Sequence, residues 1–196
     1  ILSLIAFIGA SLTACMAKDN ETSETRNVKG FTAIYIDGVS TINFTQGDDW
    51  ACRVEGRAEE VADLVTTVKN GTLTIGHKDK KRKNRKGTDI YLTAPRLEAV
   101  TFDGVGQFNC EKTLNADDIR FTIDGVGALH IEDLHCRSVK LEIDGVGKGN
   151  VHVDCETLNA LIDGVGTMTL SGHADHANIK KDGIGHFSTR RLKVGE

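Results

Sequence analysis

The sequence predicts an all-β protein, a parallel β-helix (solenoid) with rungs of 19–21 residues and one short helix in its N-terminal third. A tetrapeptide, Asp-Gly-Val-Gly, occurs four times, and twice more with one residue changed. The last five copies begin 21, 20, 19 and 19 residues apart, a period typical of stacked repeat architectures. Between the copies, apolar residues alternate with period two, which indicates strands with one buried face. Short strands joined by glycine turns at this period form the rungs of a β-helix.

The first 14 residues, ILSLIAFIGASLTA, carry no charge and are interpreted as the apolar part of an export signal peptide. They are too short for a membrane span. The next residue completes Leu-Thr-Ala-Cys, which resembles the lipobox of bacterial lipoproteins, so Cys15 is the predicted lipid attachment site. An ordinary signal peptide with a nearby cysteine is the alternative. Met16, rather than Asp, after this cysteine favours lipid anchoring in the outer membrane, on its periplasmic or its cell-surface face.

Residues 15–28 would then form a lipidated tether, and residues 29–196 the β-helix domain. The N-terminal third of this domain is expected to be less regular than the rest. Strands are predicted at 31–36 and 41–44, a short helix at 59–65, and a hairpin at Asn70-Gly71 between strands at 65–68 and 72–75. A further strand is predicted at 89–94.

Counting from the aspartate of each copy places side chains in columns, one per rung and about 4.8 Å apart. Cys110, Cys136 and Cys155 fall in columns otherwise filled by Ala, Ile, Val and Leu. They are therefore predicted to be small buried hydrophobic residues. Cys136 and Cys155 share a column on adjacent rungs, so a disulfide between them is an open alternative.

The aspartates of the motif are predicted to stack as a ladder. We expect a structural turn, in which each carboxylate accepts a hydrogen bond from the backbone N–H two residues on and the glycines supply φ values that a Cβ would forbid. The alternative is a calcium site, because carboxylates in a row are ligands for a hard cation. The ladder consists of Asp103, Asp124, Asp144, Asp163 and Asp182. No cofactor is expected.

The branched residue of the motif has two interpretations. Strict alternation would point it outward and create an apolar stripe of the kind that marks an interface. If the chain turns a corner at the motif, the same residues would join the core, and this second interpretation is the favoured prediction. The residues concerned are Val39, Val105, Val126, Val146, Val165 and Ile184.

The run between residues 78 and 86 concentrates positive charge in a protein whose net charge is −4. It is interpreted either as a solvated hairpin tip or as a site for an anionic glycan or a lipid phosphate. No aromatic residue alternates with these cations to stack on bases, which argues against nucleic acid. His173 and His176 would point to opposite faces of a strand, so no shared metal is expected there. The candidate anion-binding residues are Lys80, Lys81, Arg82, Lys83, Arg85 and Lys86.

The order of these features resembles the head GIN domain family, whose members are named as auto-transporter adhesins. A strand of the form F-x-x-I-x-I-x-G is followed by NGTLTIG, by LTAPRLEAVTFDGVG and by repeats that end in Gly-x-Gly. The resemblance covers residues 29–196 and implies a right-handed, single-stranded parallel β-helix without assigning any catalytic residue. Family members often have Ser-Gly-Ser-Gly at the turn, so Asp-Gly-Val-Gly makes this column more acidic and more apolar.

We therefore predict a non-enzymatic cell-envelope lipoprotein that binds a glycan or protein partner, as an adhesin or surface-recognition domain. The alternatives are a glycan-active β-helix enzyme of the polysaccharide lyase or hydrolase type, and a purely structural envelope protein. Repetition of the aspartate on every rung argues against catalysis, because a catalytic carboxylate pair occurs once. No nucleophile-elbow sequence is present.

Overall fold

The computed structural model describes residues 21–79 and 81–195, and strands make up most of that length. The predicted signal peptide, the predicted lipid attachment site Cys15, and Lys80 lie outside the described residues. No helix in the described part is long and apolar enough to cross a bilayer. In chain order the elements are β1 Glu21–Thr25, β2 Ala33–Ile36, β3 Val39–Gln46, β4 Ala51–Arg57, α1 Ala58–Asp63, β5 Leu64–Lys69, β6 Thr72–His77, β7 Thr88–Ala94, β8 Ala99–Phe102, β9 Val105–Ile123, β10 Val126–Ile143, β11 Val146–Ile162, β12 Val165–Lys181 and β13 Ile184–Val194.

Strands β9 to β13 stack in parallel, each on the one before it, and form a β-solenoid of about five turns with rungs of about 20 residues. The predicted fold class is confirmed. Pairing follows the predicted columns: Leu129 lies between Phe108 and Gly149, and the next inward position aligns Ile131 with Cys110. The repeat period therefore sets the register of the whole stack.

The N-terminal third continues the stack and covers one end of it. β3 pairs in parallel with both β7 and β9, while β2 pairs with β6 and β8. The predicted hairpin forms as β5 and β6, with Asn70 and Gly71 at φ values of 50° and 77°. The predicted helix forms over Ala58–Asp63 and ends before Leu64, because Leu64 enters β5 and is fully buried.

Residues 21–25 fall within the segment assigned above to a tether, but the structure places them in β1. This strand pairs antiparallel with β4, from Glu21 opposite Arg57 to Thr25 opposite Arg53. All five of its side chains are exposed, so hydrophobic periodicity could not reveal it. The ordered domain therefore includes these residues.

The core runs along the solenoid axis and is filled by the inward-facing residues of each rung. Phe108 lies between two other rings, with its centroid 5.9 Å from that of Phe44 and 5.6 Å from that of Phe121. Further along the axis the rungs contribute mainly Ile, Leu and Val, among them the fully buried Leu141 and Leu158. This core holds each rung rigidly, so the outward columns keep a fixed spacing.

Candidate functional site

The Asp-Gly-Val-Gly corner is held by hydrogen bonds to the preceding rung. The N–H groups of Asp124 and Gly125 both donate to the Phe102 carbonyl oxygen, at 2.8 and 3.0 Å, and Val126 N–H donates to Gly104 at 2.9 Å. The valine N–H is the group that the predicted aspartate turn needed. That prediction is wrong, because this N–H group donates its hydrogen bond to a backbone carbonyl of the preceding rung instead of to the aspartate side chain.

The glycines of the motif are needed for close approach of the backbones. A Cβ on Gly125 would lie 2.1 Å from the Gly104 carbonyl oxygen, and one on Gly145 would lie 2.0 Å from that of Gly125. None of the motif glycines has φ in the left-handed region, so the prediction of special φ values is also wrong. Each corner lies directly on the previous corner, which leaves no room for a side chain.

The branched residue of each copy points outward, so the favoured prediction that it joins the core is wrong. Val126 and Val146 each retain 51% of their surface, and Ile184 retains 75%. The glycine that follows faces inward instead: a Cβ on Gly127 would lie 3.2 Å from Ile123 Cγ2 in the core. Alternation therefore continues through the corner. We call the resulting exposed column the valine stripe: Val105, Val126, Val146, Val165 and Ile184.

The aspartates form a second exposed column, two residues before the valine stripe. We call it the acidic ladder: Asp103, Asp124, Asp144, Asp163 and Asp182. Partial burial, followed by the negative charges of Glu142, Asp124 and Asp163, raises the pKa of the Asp144 carboxyl. At the N-terminal end of the ladder, the Tyr35 hydroxyl donates a hydrogen bond to Asp103, which raises the pKa of Tyr35 to about 12. Burial and neighbouring negative charge thus disfavour the ionised form of Asp144.

The alternative of a calcium site along the ladder stays a prediction. Across residues 21–79 and 81–195, no three His, Cys, Asp or Glu side chains are arranged to hold a metal ion. Successive rungs lie about 4.8 Å apart, so a cation between two of them would contact carboxylates from only those two rungs.

On its other side, the valine stripe is bordered by polar columns. The Asn109 side chain donates a hydrogen bond to Asn43 at 3.0 Å, and Asn150 contacts His130 Nδ1 at 3.2 Å, so polar groups pair along the solenoid axis. Asn150 and His130 border a shallow depression of about 550 Å³. Residues lining it include Gln107, Ala128, Lys148, Asn150, Thr169 and Arg191. This face therefore combines a branched apolar column with hydrogen-bonding groups.

The basic run is partly tied down by α1. Arg82 lies 2.9 Å from the buried Glu60 carboxylate, which also accepts the backbone N–H of Lys86 at 3.0 Å, and Arg85 pairs with Asp63. Burial opposes ionisation of Asp63, but the Asp79 N–H and Arg85 outweigh it and lower the pKa of that carboxyl. Arg82 and Arg85 therefore pair with carboxylates of α1. The side chains of the candidate anion-binding residues Lys81, Lys83 and Lys86 are exposed.

A histidine–aspartate column lies on the next face of the solenoid. His135, Asp154 and His173 occupy equivalent positions on three successive rungs. The Asp154 carboxylate oxygens lie 3.7 Å from His135 Nδ1 and 3.8 Å from His173 Nδ1. His135 and Asp154 are exposed, whereas His173 is half-buried and its Nε2 lies 3.0 Å from the Gly195 carbonyl oxygen.

The cysteines lie where the columns predict. Cys52, Cys110 and Cys155 are buried, Cys136 is half-buried, and all four are free thiols. Cys136 is the direct register partner of Cys155 on the adjacent strand. The hydrogen bond between these two thiols raises the pKa of Cys136 and lowers that of Cys155.

The fold is shared with solved structures of low sequence identity. A "putative lipid binding protein" from Parabacteroides distasonis ATCC 8503 is 17% identical with a TM-score of 0.77, and the match covers 89% of this chain and 76% of that one. A "putative adhesin" from Bacteroides fragilis NCTC 9343 is 22% identical with a TM-score of 0.58, covering 87% and 97% respectively. No curated protein matches the sequence. The family model described as "Putative auto-transporter adhesin, head GIN domain" matches residues 30–196, and the chain belongs to that family.

Proposed function

We propose that this protein is a non-enzymatic recognition domain of the cell envelope that binds a surface partner through the face containing the valine stripe. Membership of an adhesin family supports a surface role. The observation that carries the proposal is the alignment of five exposed branched side chains in one column, in register over consecutive rungs. Apolar side chains repeated in solvent at a fixed spacing are the kind of feature that marks an interaction site.

Binding accounts for this face better than catalysis does. A catalytic carboxylate pair needs two groups in different environments, one held protonated and the other ionised. The acidic ladder instead repeats one carboxylate in nearly the same setting on each rung. The polar columns beside the stripe offer amide, hydroxyl and imidazole groups, which are suited to hydrogen bonding a glycan or a protein surface.

The anchor of the domain is also a proposal. The Leu-Thr-Ala-Cys sequence supports cleavage before Cys15 and lipidation of its thiol, and Met16 supports the outer membrane. In a Cys15→Ser variant, labelled fatty acid should be lost and the protein should leave the membrane fraction, whereas Cys110→Ser should behave as wild type. Membrane retention and full labelling of Cys15→Ser would contradict the anchor.

The proposed function is tested with the purified Cys15→Ser chain on a glycan array, on immobilised cells and against soluble anionic polysaccharides. We expect retention on at least one surface and no new reducing or unsaturated ends in the polysaccharide. Appearance of such ends would favour the enzyme alternative. Absence of binding to every surface would favour a purely structural role.

A further inference from the structure

We propose that the valine stripe and the acidic ladder together dock a cationic amphipathic helix of a partner protein. This inference rests on the proposed function and specifies the chemistry of the partner. Stripe and ladder are adjacent parallel columns at the corner, since each aspartate lies two residues before a stripe residue on its own rung. From Val105 to Ile184 the stripe crosses four rung steps, or about 19 Å.

The spacing of the stripe suits an α-helix. Apolar residues on one face of a helix recur every three or four residues, which advances them by about 5.3 Å. The rungs advance by about 4.8 Å, so the two spacings differ by only about 2 Å in total over the four rung steps of the stripe. Residues on one face of an extended strand recur at about 6.7 Å and fall out of step after two rungs.

The ladder selects a cationic helix. In the described part of the chain, no salt bridge joins any ladder carboxylate to a lysine, arginine or histidine. Besides burial, the negative charges of Glu142, Asp124 and Asp163 raise the pKa of Asp144. Lysine or arginine on the flank of a docked helix would neutralise them, which is the complementarity that steers association.

The same charge disfavours the other occupants of an apolar stripe. A second copy of this chain would bring a second acidic ladder to the same face, and like charges repel. An anionic bilayer surface would be repelled for the same reason.

The probe is a labelled Leu/Lys peptide of about 18 residues, roughly five turns, with leucines on one face. A scrambled peptide of the same composition and a Leu/Glu peptide with reversed charge serve as reference ligands, and anionic vesicles test the bilayer. Fluorescence anisotropy with the Cys15→Ser chain measures Kd.

Two double variants test the two columns separately. Val126→Ser/Val146→Ser removes part of the stripe, and Asp124→Asn/Asp144→Asn removes part of the ladder. Val194→Ser/Asp117→Asn is the matched control, because both residues are exposed and lie outside the stripe and the ladder.

We expect the Leu/Lys peptide to bind, each stripe or ladder variant to weaken binding about tenfold or more, and the control to leave it unchanged. Binding should also weaken as salt is added. Equal binding of the scrambled peptide, unchanged binding by the stripe variant, or binding to anionic vesicles instead would overturn the proposal. If the chain binds array surfaces but none of the peptides, the docked helix is excluded while the proposed function stands.

A second proposal, independent of the docked helix, concerns the register partners Cys136 and Cys155. We infer that Cys136 and Cys155 form a disulfide between adjacent rungs when the protein meets an envelope thiol–disulfide oxidant. Paired residues on neighbouring strands lie about 4.8 Å apart, within the Cα separations that disulfides span. Cys52 and Cys110 are buried elsewhere in the core, and the Cys110 thiol donates to the Lys112 carbonyl at 3.3 Å.

In this reaction one thiolate of the pair attacks the oxidant's disulfide and releases one of its thiolates. The other thiolate of the pair then attacks the cysteine Sγ in the mixed disulfide and releases the second. The protein thus loses two protons and two electrons, and the oxidant becomes a dithiol.

The Cys15→Ser chain is incubated with oxidised glutathione and mapped by mass spectrometry after alkylation in denaturant. We expect a linked peptide pair containing Cys136 and Cys155, with Cys52 and Cys110 alkylated. The link should be absent in Cys136→Ser and present in Cys110→Ser. Alkylation of all four thiols, or glutathione retained on Cys155, would overturn this proposal.

Discussion

The Val126 backbone N–H donates a 2.9 Å hydrogen bond to the Gly104 carbonyl oxygen of the rung before it. The same bond recurs from Val146 to Gly125 and from Val165 to Gly145, both at 2.8 Å. It fixes the distance between successive corners and therefore the spacing of the valine stripe. Several measurable consequences depend on this contact.

Gly125→Ala should destabilise the domain by about 2 kcal/mol or more, because the added Cβ would lie 2.1 Å from the Gly104 oxygen and force the corners apart. Gly127→Ala is the comparison and should cost less, since its Cβ would lie 3.2 Å from Ile123 Cγ2 and 3.5 Å from the Gly106 carbonyl oxygen. Urea denaturation measures both. A Gly125→Ala midpoint equal to wild type would contradict the close approach.

Val126→Ser should change the free energy of unfolding by less than about 0.5 kcal/mol, the range of ordinary surface substitutions. Leu141→Ala, at a fully buried position on the same strand, should cost about 2–5 kcal/mol. Thermal and urea unfolding of the two variants separate surface from core. A loss above about 1 kcal/mol for Val126→Ser would mean that the stripe contributes to the core after all.

Asp144→Asn should raise stability slightly at neutral pH, by no more than about 0.5 kcal/mol, since the side chain is largely exposed. Because folding raises the pKa of this carboxyl, the native state binds its proton more tightly than the unfolded chain does. The unfavourable contribution therefore appears as pH rises from 3.8 through the raised pKa, and it is absent at lower pH. The unfolding midpoints of wild type and variant should therefore converge in acid. A difference between them that grows as pH falls would contradict the raised pKa of Asp144.

Glu60→Ala should cost about 3 kcal/mol, because it leaves Arg82 without the buried carboxylate that lies 2.9 Å away. It should also make the segment between β6 and β7 more sensitive to limited proteolysis. Glu59→Ala is the matched control: its exposed carboxylate lies 3.4 Å from the same arginine, and its loss should cost less than about 1 kcal/mol. Equal losses from the two variants would contradict the role of the buried pair.

The solenoid could be predicted because the Asp-Gly-Val-Gly motif recurs in the sequence with the period of one rung. Each aspartate marks a rung, and counting from it aligns Leu129 with Phe108 and Cys136 with Cys155, as the structure confirms. β1 could not be predicted in this way, because it is exposed on every residue and is held by pairing with β4 and by contact with α1.

The candidate site was harder to predict than the fold. The local sequence Asp-Gly predicts a turn. It does not show whether the Val126 N–H donates its hydrogen bond to the carbonyl of the preceding rung or to the aspartate side chain. The orientation of the stripe depends on that choice. Likewise, nothing within the basic run shows that Arg82 and Arg85 turn towards carboxylates of α1, which lie about 20 residues earlier in the chain.

The most direct test of a recognition surface at the corner compares two proteins on the same glycan and cell arrays: the Cys15→Ser chain, and that chain with Val126→Ser and Val146→Ser added. The exposed stripe predicts that the triple variant stays as stable as its parent and loses most of its binding. Undiminished binding of a fully folded triple variant would contradict the account, because recognition would then lie on another face.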